Sequence, residues 1–332
     1  MNERERVLTA LSHVQPDFTP FQLDFTQGLW EKVSDVLGVG YKHPSALGNH
    51  LALVEWGSFE SVAPHVVRDQ FGVVWDRTID RDIGVVSSYP LKDADLSKYQ
   101  FPDPAECPIP QDLAEFVAQN QERFRVVGIG FSLFERAWTL RGMENLLMDM
   151  YLHPAFVDEL IERITEYNLA LIERALQYDI DCVLFGDDWG QQTGLIFGKK
   201  LWQRFFQPAL TRMFARVKAD GKFVMLHSCG KIQELFPDLI DMGLDIFNTF
   251  QPEVMDPNEM KKQYGDRLTF YGGISTQRVL PFAAPSQIID TVKDMISVAG
   301  KQGGYIVAPT HDMPVDIPVE NVLAFIEAVR KQ

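Results

Sequence analysis

Cysteine is scarce: three residues in 332 (Cys107, Cys182 and Cys229), an odd number and too few for a disulfide framework. A reducing compartment is expected, and the cytoplasm is the expected location. Long apolar runs are missing too. The longest is about the six residues of "VVGIGF" at 126–131, far short of the about 20 residues a membrane-spanning helix needs. The amino terminus, "MNERERVLTALSH", lacks the apolar core of a signal peptide. Basic residues are outnumbered, 31 Lys and Arg against 46 Asp and Glu, for a net charge of −15. That balance argues against nucleic acid or an anionic membrane as partner, and a strongly anionic substrate would need a local basic pocket. No repeat, low-complexity segment or Walker-type glycine pattern occurs. The G-x-G at 128–130 lacks the rest of a dinucleotide fingerprint, so no nucleotide cofactor is expected.

What is present is a series of short apolar runs that end abruptly in polar or small residues. They lie at 20–25, 125–132, 181–190, 222–230, 245–252, 268–275 and 304–312. From residue 125 onward, segments of helical type or length separate them. The segment 154–179 repeats Val157, Leu160, Ile161, Ile164, Leu171 and Ala175 at helical spacing, and 231–243 and 285–300 are shorter versions that end in glycine. Continuous apolar strands alternating with helices imply a parallel sheet covered on both faces. Seven candidate strands and their even spacing predict an α/β fold, a single (β/α)8 barrel over 1–332. A hairpin and a proline-rich surface excursion are expected within 70–115. In such a barrel the reactive groups sit at the carboxyl ends of the strands. Here those ends carry Asp24, Asp187, Asp188, His227, Cys229, Gln251 and His311.

The stretch "LHSCG" at 226–230 places an imidazole and a thiol two residues apart. On an extended strand, i and i+2 share a face, and this donor pair suits zinc; a packed thiol beside a satisfied histidine is the plainer reading. His311 in "APTHDM" offers a third ligand from the last strand, or a substrate contact, or a surface histidine. In "FGDDWG", Asp187 and Asp188 cannot both face inward, and the sequence leaves open which does. Glu135, followed by Arg136, is either a site acid or an exposed pair. Trp189, Gln251, Tyr271 and Asp24 are candidates for substrate contact, although most aromatic residues of such a chain belong to its core.

Taken together, these motifs resemble the uroporphyrinogen decarboxylase superfamily. The resemblance runs from "RERVLTALSHVQPD" through "GFSLFERAWTLRGMENLLMDM", "LFGDDWGQQTGLIF" and "LHSCGKIQELFPDLIDMGLDIFNTFQP" to "GGYIVAPTHDMPVDIPVENVLAFIEA". It implies a distorted (β/α)8 barrel. The decarboxylases of this superfamily use amino-terminal arginines, but the corresponding stretch here, "FQLDFTQGLW", has none. The resemblance is greater to the branch of zinc methyltransferases that work with corrinoid proteins, including those of O-demethylase systems. For this chain it implies zinc (Zn2+) held by His227, Cys229 and His311, and a corrinoid (cobalamin), free or on a partner protein. It also implies a small methyl donor or acceptor, a methoxylated aromatic being one such substrate. Glu135, Asp187 or Asp188 would orient that substrate or supply a proton. Two other readings stand: a metal-free decarboxylase, and a tetrapyrrole- or corrinoid-binding protein without turnover.

Overall fold

The computed structural model describes residues 1–38, 47–109 and 111–332. Helices α1 (Glu3–Leu11) and α2 (Gln27–Leu37) precede strand β1 (Leu51–Glu55). Strands β2 (Phe59–Ala63), β3 (Val66–Asp69), β4 (Val74–Asp76) and β5 (Val85–Ser88) form a separate antiparallel sheet. This sheet starts upstream of the hairpin expected from residue 70. After α3 (Leu113–Gln119), strand β6 (Phe124–Ile129) leads into α4 (Phe134–Arg141), α5 (Met143–Leu152) and α6 (Pro154–Ala175). Strand β7 (Cys182–Gly186) is followed by the small ribbon β8 (Gly190–Gln191) and β9 (Gly194–Leu195), then α7 (Lys199–Phe205) and α8 (Gln207–Ala219). The remainder alternates: β10 (Phe223–His227), α9 (Phe236–Asp241), β11 (Ile246–Thr249), α10 (Pro257–Tyr264) and β12 (Thr269–Ile274). It closes with α11 (Val279–Phe282), α12 (Pro285–Ala299), β13 (Tyr305–Pro309) and α13 (Val319–Arg330).

Strands β1, β6, β7, β10, β11, β12 and β13 lie side by side in that order as one parallel sheet. This is an α/β fold with a curled parallel sheet, the coarser form of the expected architecture. Two details differ from the sequence expectation. Strand β1 was not anticipated, and 20–25, expected as a strand, contributes only isolated bridges from Phe21 to Val307 and from Phe25 to Met313. The reason is local. Pro20 has no N–H to donate, and the Asn49 side chain takes both the N–H and the carbonyl of Leu23 at 2.9 Å. The same segment still bonds to both sides, Gln22 N–H to Val307 O at 3.0 Å and His50 N–H to Phe21 O at 3.1 Å.

Side-chain alternation divides the strands. One set, with Leu51, Phe124, Val126, Cys182, Met225, Ile246 and Ile306, packs together on the concave face; Val7 and Leu11 of α1 join it. The alternate set packs outward against the helices, in the larger cluster with Val127, Val183, Phe185, Val224, Leu226 and Phe247. Helix α1 is tied beneath this inner core by charge. Asp181, ahead of β7, receives Arg4 Nη2 at 2.7 Å and both the backbone N–H and Nε of Arg125 at 2.9 and 3.0 Å. Burial would raise the Asp181 carboxyl, but the bonds from Arg4 and Arg125 outweigh it and hold the group below its ordinary value of 3.8.

Removing this carboxylate leaves the Arg125 guanidinium, only 4 % exposed, with a single bond to the solvent-exposed Asp179 as its remaining ion pair. Asp181→Ala is therefore expected to destabilise the fold by about 3 kcal/mol, read as a lower urea midpoint. Because the folded value is depressed, the wild-type contribution is full above pH 3.8 and is lost as pH falls through the lower folded value. The variant's deficit should therefore shrink in acid.

Candidate metal centre

His227 closes β10 and pairs in register with Gly186 of β7 and Asn248 of β11. Asn248 Nδ2 donates to the Tyr271 carbonyl at 3.1 Å, which turns Oδ1 toward His227; His227 Nδ1 donates to that oxygen at 2.6 Å. The imidazole proton is thereby held on Nδ1, and Nε2 keeps its lone pair. Cys229 Sγ lies 3.8 Å from this Nε2. The donor atoms of His227, Cys229 and His311 all fall within 4.8 Å of one another, and the two imidazole rings meet edge to face.

Donors at tetrahedral zinc stand about 3.5 Å apart, so modest side-chain shifts would let the three residues hold one ion. The donor chemistry fits as well. Burial, then the charge of Asp188, pushes the Cys229 thiol far above its ordinary value, and a cation beside it would favour the thiolate. His311 differs in one respect. Its Nδ1 accepts the Asp312 N–H at 2.8 Å, which leaves the neutral ring's proton on Nε2. Ligation through Nε2 requires that bond to be released.

The strand stops at His227, yet Cys229 reaches the same side because its turn is pinned at three points. Asp188 Oδ1 accepts the Cys229 N–H at 2.7 Å, Gln251 Oε1 accepts the Gly230 N–H at 2.7 Å, and Ser228 Oγ accepts the Trp189 N–H at 3.2 Å. Gln251 and Trp189 were expected to touch substrate; here they support the turn, with Trp189 fully buried against Trp202.

Alternation also assigns the aspartate pair. Asp188 follows Cys182 and Leu184 to the concave face and lines a cavity of about 520 Å³ with His227, His311, Glu135, Asp24 and Tyr271. Asp187 turns away, fully buried. It accepts the N–H groups of Phe134 and Glu135 at 3.0 and 2.7 Å and Trp189 Nε1 at 2.7 Å. Burial pushes its carboxyl up to about 7 against those bonds. Asp187 thus anchors the start of α4 and places Glu135, and it stays out of the cavity. Glu135 itself is raised well above the ordinary range by burial and by the charges of Asp188 and Asp187. Asp24 receives Tyr271 Oη at 3.1 Å and Gln22 Nε2 at 3.0 Å, and burial with Asp312 nearby lifts it to about 7.

Three features of the site were absent from the sequence reading. Glu55, at the end of β1, faces the cavity opposite Gly128. A Cβ on Gly128 would stand 2.7 Å from Glu55 Cγ, so this G-x-G serves to make room for a carboxylate. Asn248 orients His227; its only signal was a polar residue inside an apolar strand. Phe59, Arg77 and Ile83 of the antiparallel sheet and its loop form the outer wall.

The fold and the site define an α/β protein with a cavity and a His/Cys/His donor set at the carboxyl ends of parallel strands. The chain belongs to the uroporphyrinogen decarboxylase (URO-D) family, which it matches over residues 66–332. Among curated proteins, it is 30 % identical over 127 residues to the methylcobamide:CoM methyltransferase MtaA of Methanosarcina barkeri, 38 % of this chain and 35 % of that protein. The match thus spans little more than a third of that relative's length. It is 23 % identical over 254 residues to the uroporphyrinogen decarboxylase of Methylococcus capsulatus, 72 % of this chain and 69 % of that protein. A methyltransferase structure from Methanosarcina mazei covers 100 % of this chain and 99 % of its own, with a TM-score of 0.72 and 15 % identity; at that identity the likeness concerns the fold. No helix among the described residues is long and apolar enough to cross a membrane.

Asn248→Ala removes the group that holds the His227 proton on Nδ1. Zinc affinity, measured by chelator competition, should fall about 10- to 100-fold while the fold is retained.

Proposed function

We propose that this chain is a zinc-dependent methyltransferase that moves a methyl group between a small substrate and a corrinoid cofactor carried by a partner protein. The observation that carries the reading is His227 Nε2, aimed at Cys229 Sγ at 3.8 Å with Asp188 Oδ1 beyond at 3.9 Å, and His311 completing the donor set at the cavity wall. Sequence likeness to a methylcobamide:CoM methyltransferase supports it. We read the seven-stranded sheet, bridged at residues 20–25, as a distorted (β/α)8 barrel, with the site at its carboxyl-terminal mouth. The cysteines are all free, in keeping with a cytoplasmic setting.

When bound, zinc supplies Lewis acidity at the heteroatom that carries or receives the methyl group. The remaining chemistry falls to the chain's own side chains. Burial and the charges of Asp188 and Asp187 favour the protonated form of Glu135, which faces the cavity, so its carboxyl is placed to exchange a proton with the heteroatom. Asp24, held by Gln22 and Tyr271, orients a polar group of the substrate. Asp188 steadies the Cys229 backbone and lines the space beside the donors. Phe59, Phe131 and Tyr271 form aromatic walls that suit the ring of a methoxylated aromatic. The open rim of the cavity is the surface a corrinoid partner would face.

Electrostatics weigh against decarboxylation of a polycarboxylate. Asp24, Glu55, Asp82, Glu135, Asp188 and Asp312 all line the cavity, and Arg77 is the only Arg or Lys among the described lining residues. A polycarboxylate would find a single guanidinium there to balance its charge, and the Asp188 carboxylate beside it.

Cys229→Ala should lose both bound zinc, read by elemental analysis, and methyl transfer to cob(I)alamin from a panel of methoxylated aromatics, methylamines and thiols. Retention of both would remove this reading, and metal-independent activity on uroporphyrinogen would replace it with the decarboxylase.

A further inference from the structure

At the other end of the sheet lies a second cavity of about 510 Å³, built from the turns that precede strands. His13 follows α1, Lys261 and Lys262 close α10, and Lys301 and Gln302 lead from α12 into β13. Three lysines in one cleft are unusual on a chain of net charge −15. The lysines that form ion pairs within the described residues are Lys199, Lys218, Lys222 and Lys331; Lys261, Lys262 and Lys301 form none. Among the described lining residues Asp266 is the only acid, and its recorded ion pair is a 3.9 Å contact with Arg267.

The cleft is shaped as well as charged. Lys261 is half-buried, and its Nζ donates to the Gly303 carbonyl at 2.5 Å. Two of its three N–H donors remain, and burial depresses its pKa with no carboxylate to offset the cost. His13 Nδ1 donates to the Gly265 carbonyl at 3.1 Å, which fixes the ring as one wall of the cleft, while burial lowers its pKa. Behind His13 and Lys261 the chain is glycine by necessity. Gly304 has a φ of +68°, and a Cβ there would stand 2.9 Å from His13 Nδ1 and 3.2 Å from Lys261 Nζ. Phe, Tyr and Trp are absent from the described lining residues, and His13 supplies the one ring among them.

We propose that this cleft binds a small polyvalent anion, held by Lys261, Lys262 and Lys301. Phosphoryl and polycarboxylate groups share the required chemistry: several oxygen acceptors bearing more than one negative charge. The site is separate from the metal centre and stands whether or not the methyltransferase reading holds.

Calorimetric titration of chelator-treated, full-length protein with pyrophosphate and, separately, citrate tests this. The titration is run at about 150 mM salt, so that exposed charges are screened. One-to-one binding of at least one anion is expected. It should weaken at least tenfold in Lys262→Glu and in Lys301→Glu, whose exposed positions leave the melting temperature unchanged. Cys229→Ala should bind as wild type. Preference for pyrophosphate would mark a phosphoryl ligand, and preference for citrate a polycarboxylate. Binding of neither anion, binding indifferent to both lysine substitutions, or binding abolished by Cys229→Ala would overturn the proposal.

Discussion

Everything at the site depends on the two-residue period of parallel strands meeting a shared floor. Once Leu51, Val126, Cys182, Met225 and Ile246 pack on the concave face over α1, the residues one or more periods onward have no choice of direction. Glu55, Leu184, Asp188, His227 and Asn248 must rise into the same cavity. The apolar floor also explains why the network through Asp181 matters far from any chemistry. It locks α1 under the inner core, and the inner core sets the height at which the polar groups emerge.

Much of this was legible in the sequence. Every run from residue 125 onward that ended abruptly became a strand of the parallel sheet, because continuous apolar strands have few other stable settings. The H-x-C spacing was equally readable: His227 and Cys229 do stand together, although a pinned turn, not an extended strand, brings Cys229 round. What sequence could not give was contact across strands. Asn248 lies 21 residues from His227 and binds it only because β10 and β11 pair in register. The choice between Asp187 and Asp188 required knowing which parity faced inward. Trp189 and Gln251 looked like substrate residues, yet Gln251 Oε1 holds the Gly230 N–H and the Trp189 backbone N–H donates to Ser228 in the turn that carries Cys229. Strand β1 was overlooked because its five residues carry the inward-facing Leu53 and Glu55, which line a cavity and lack the signature of a packed core.

The cavity's charge gives the donor set its meaning. Several carboxylates crowd a space from which water is partly excluded, and burial drives Asp24 and Glu135 toward their neutral forms. The same field opposes ionisation of Cys229. A divalent cation between His227, Cys229 and His311 would relieve all of these at once. The orienting bond from His227 to Asn248 has no evident structural purpose apart from aiming Nε2. It is the feature on which the proposed ligand role of the trio chiefly rests.

The most direct test is zinc K-edge X-ray absorption on the purified protein. One sulfur at about 2.3 Å and two nitrogens at about 2.0–2.1 Å would place the ion on Cys229, His227 and His311. A spectrum with only oxygen and nitrogen neighbours, or protein that takes up no zinc, would contradict the metal centre and leave "LHSCG" as the packed end of a strand.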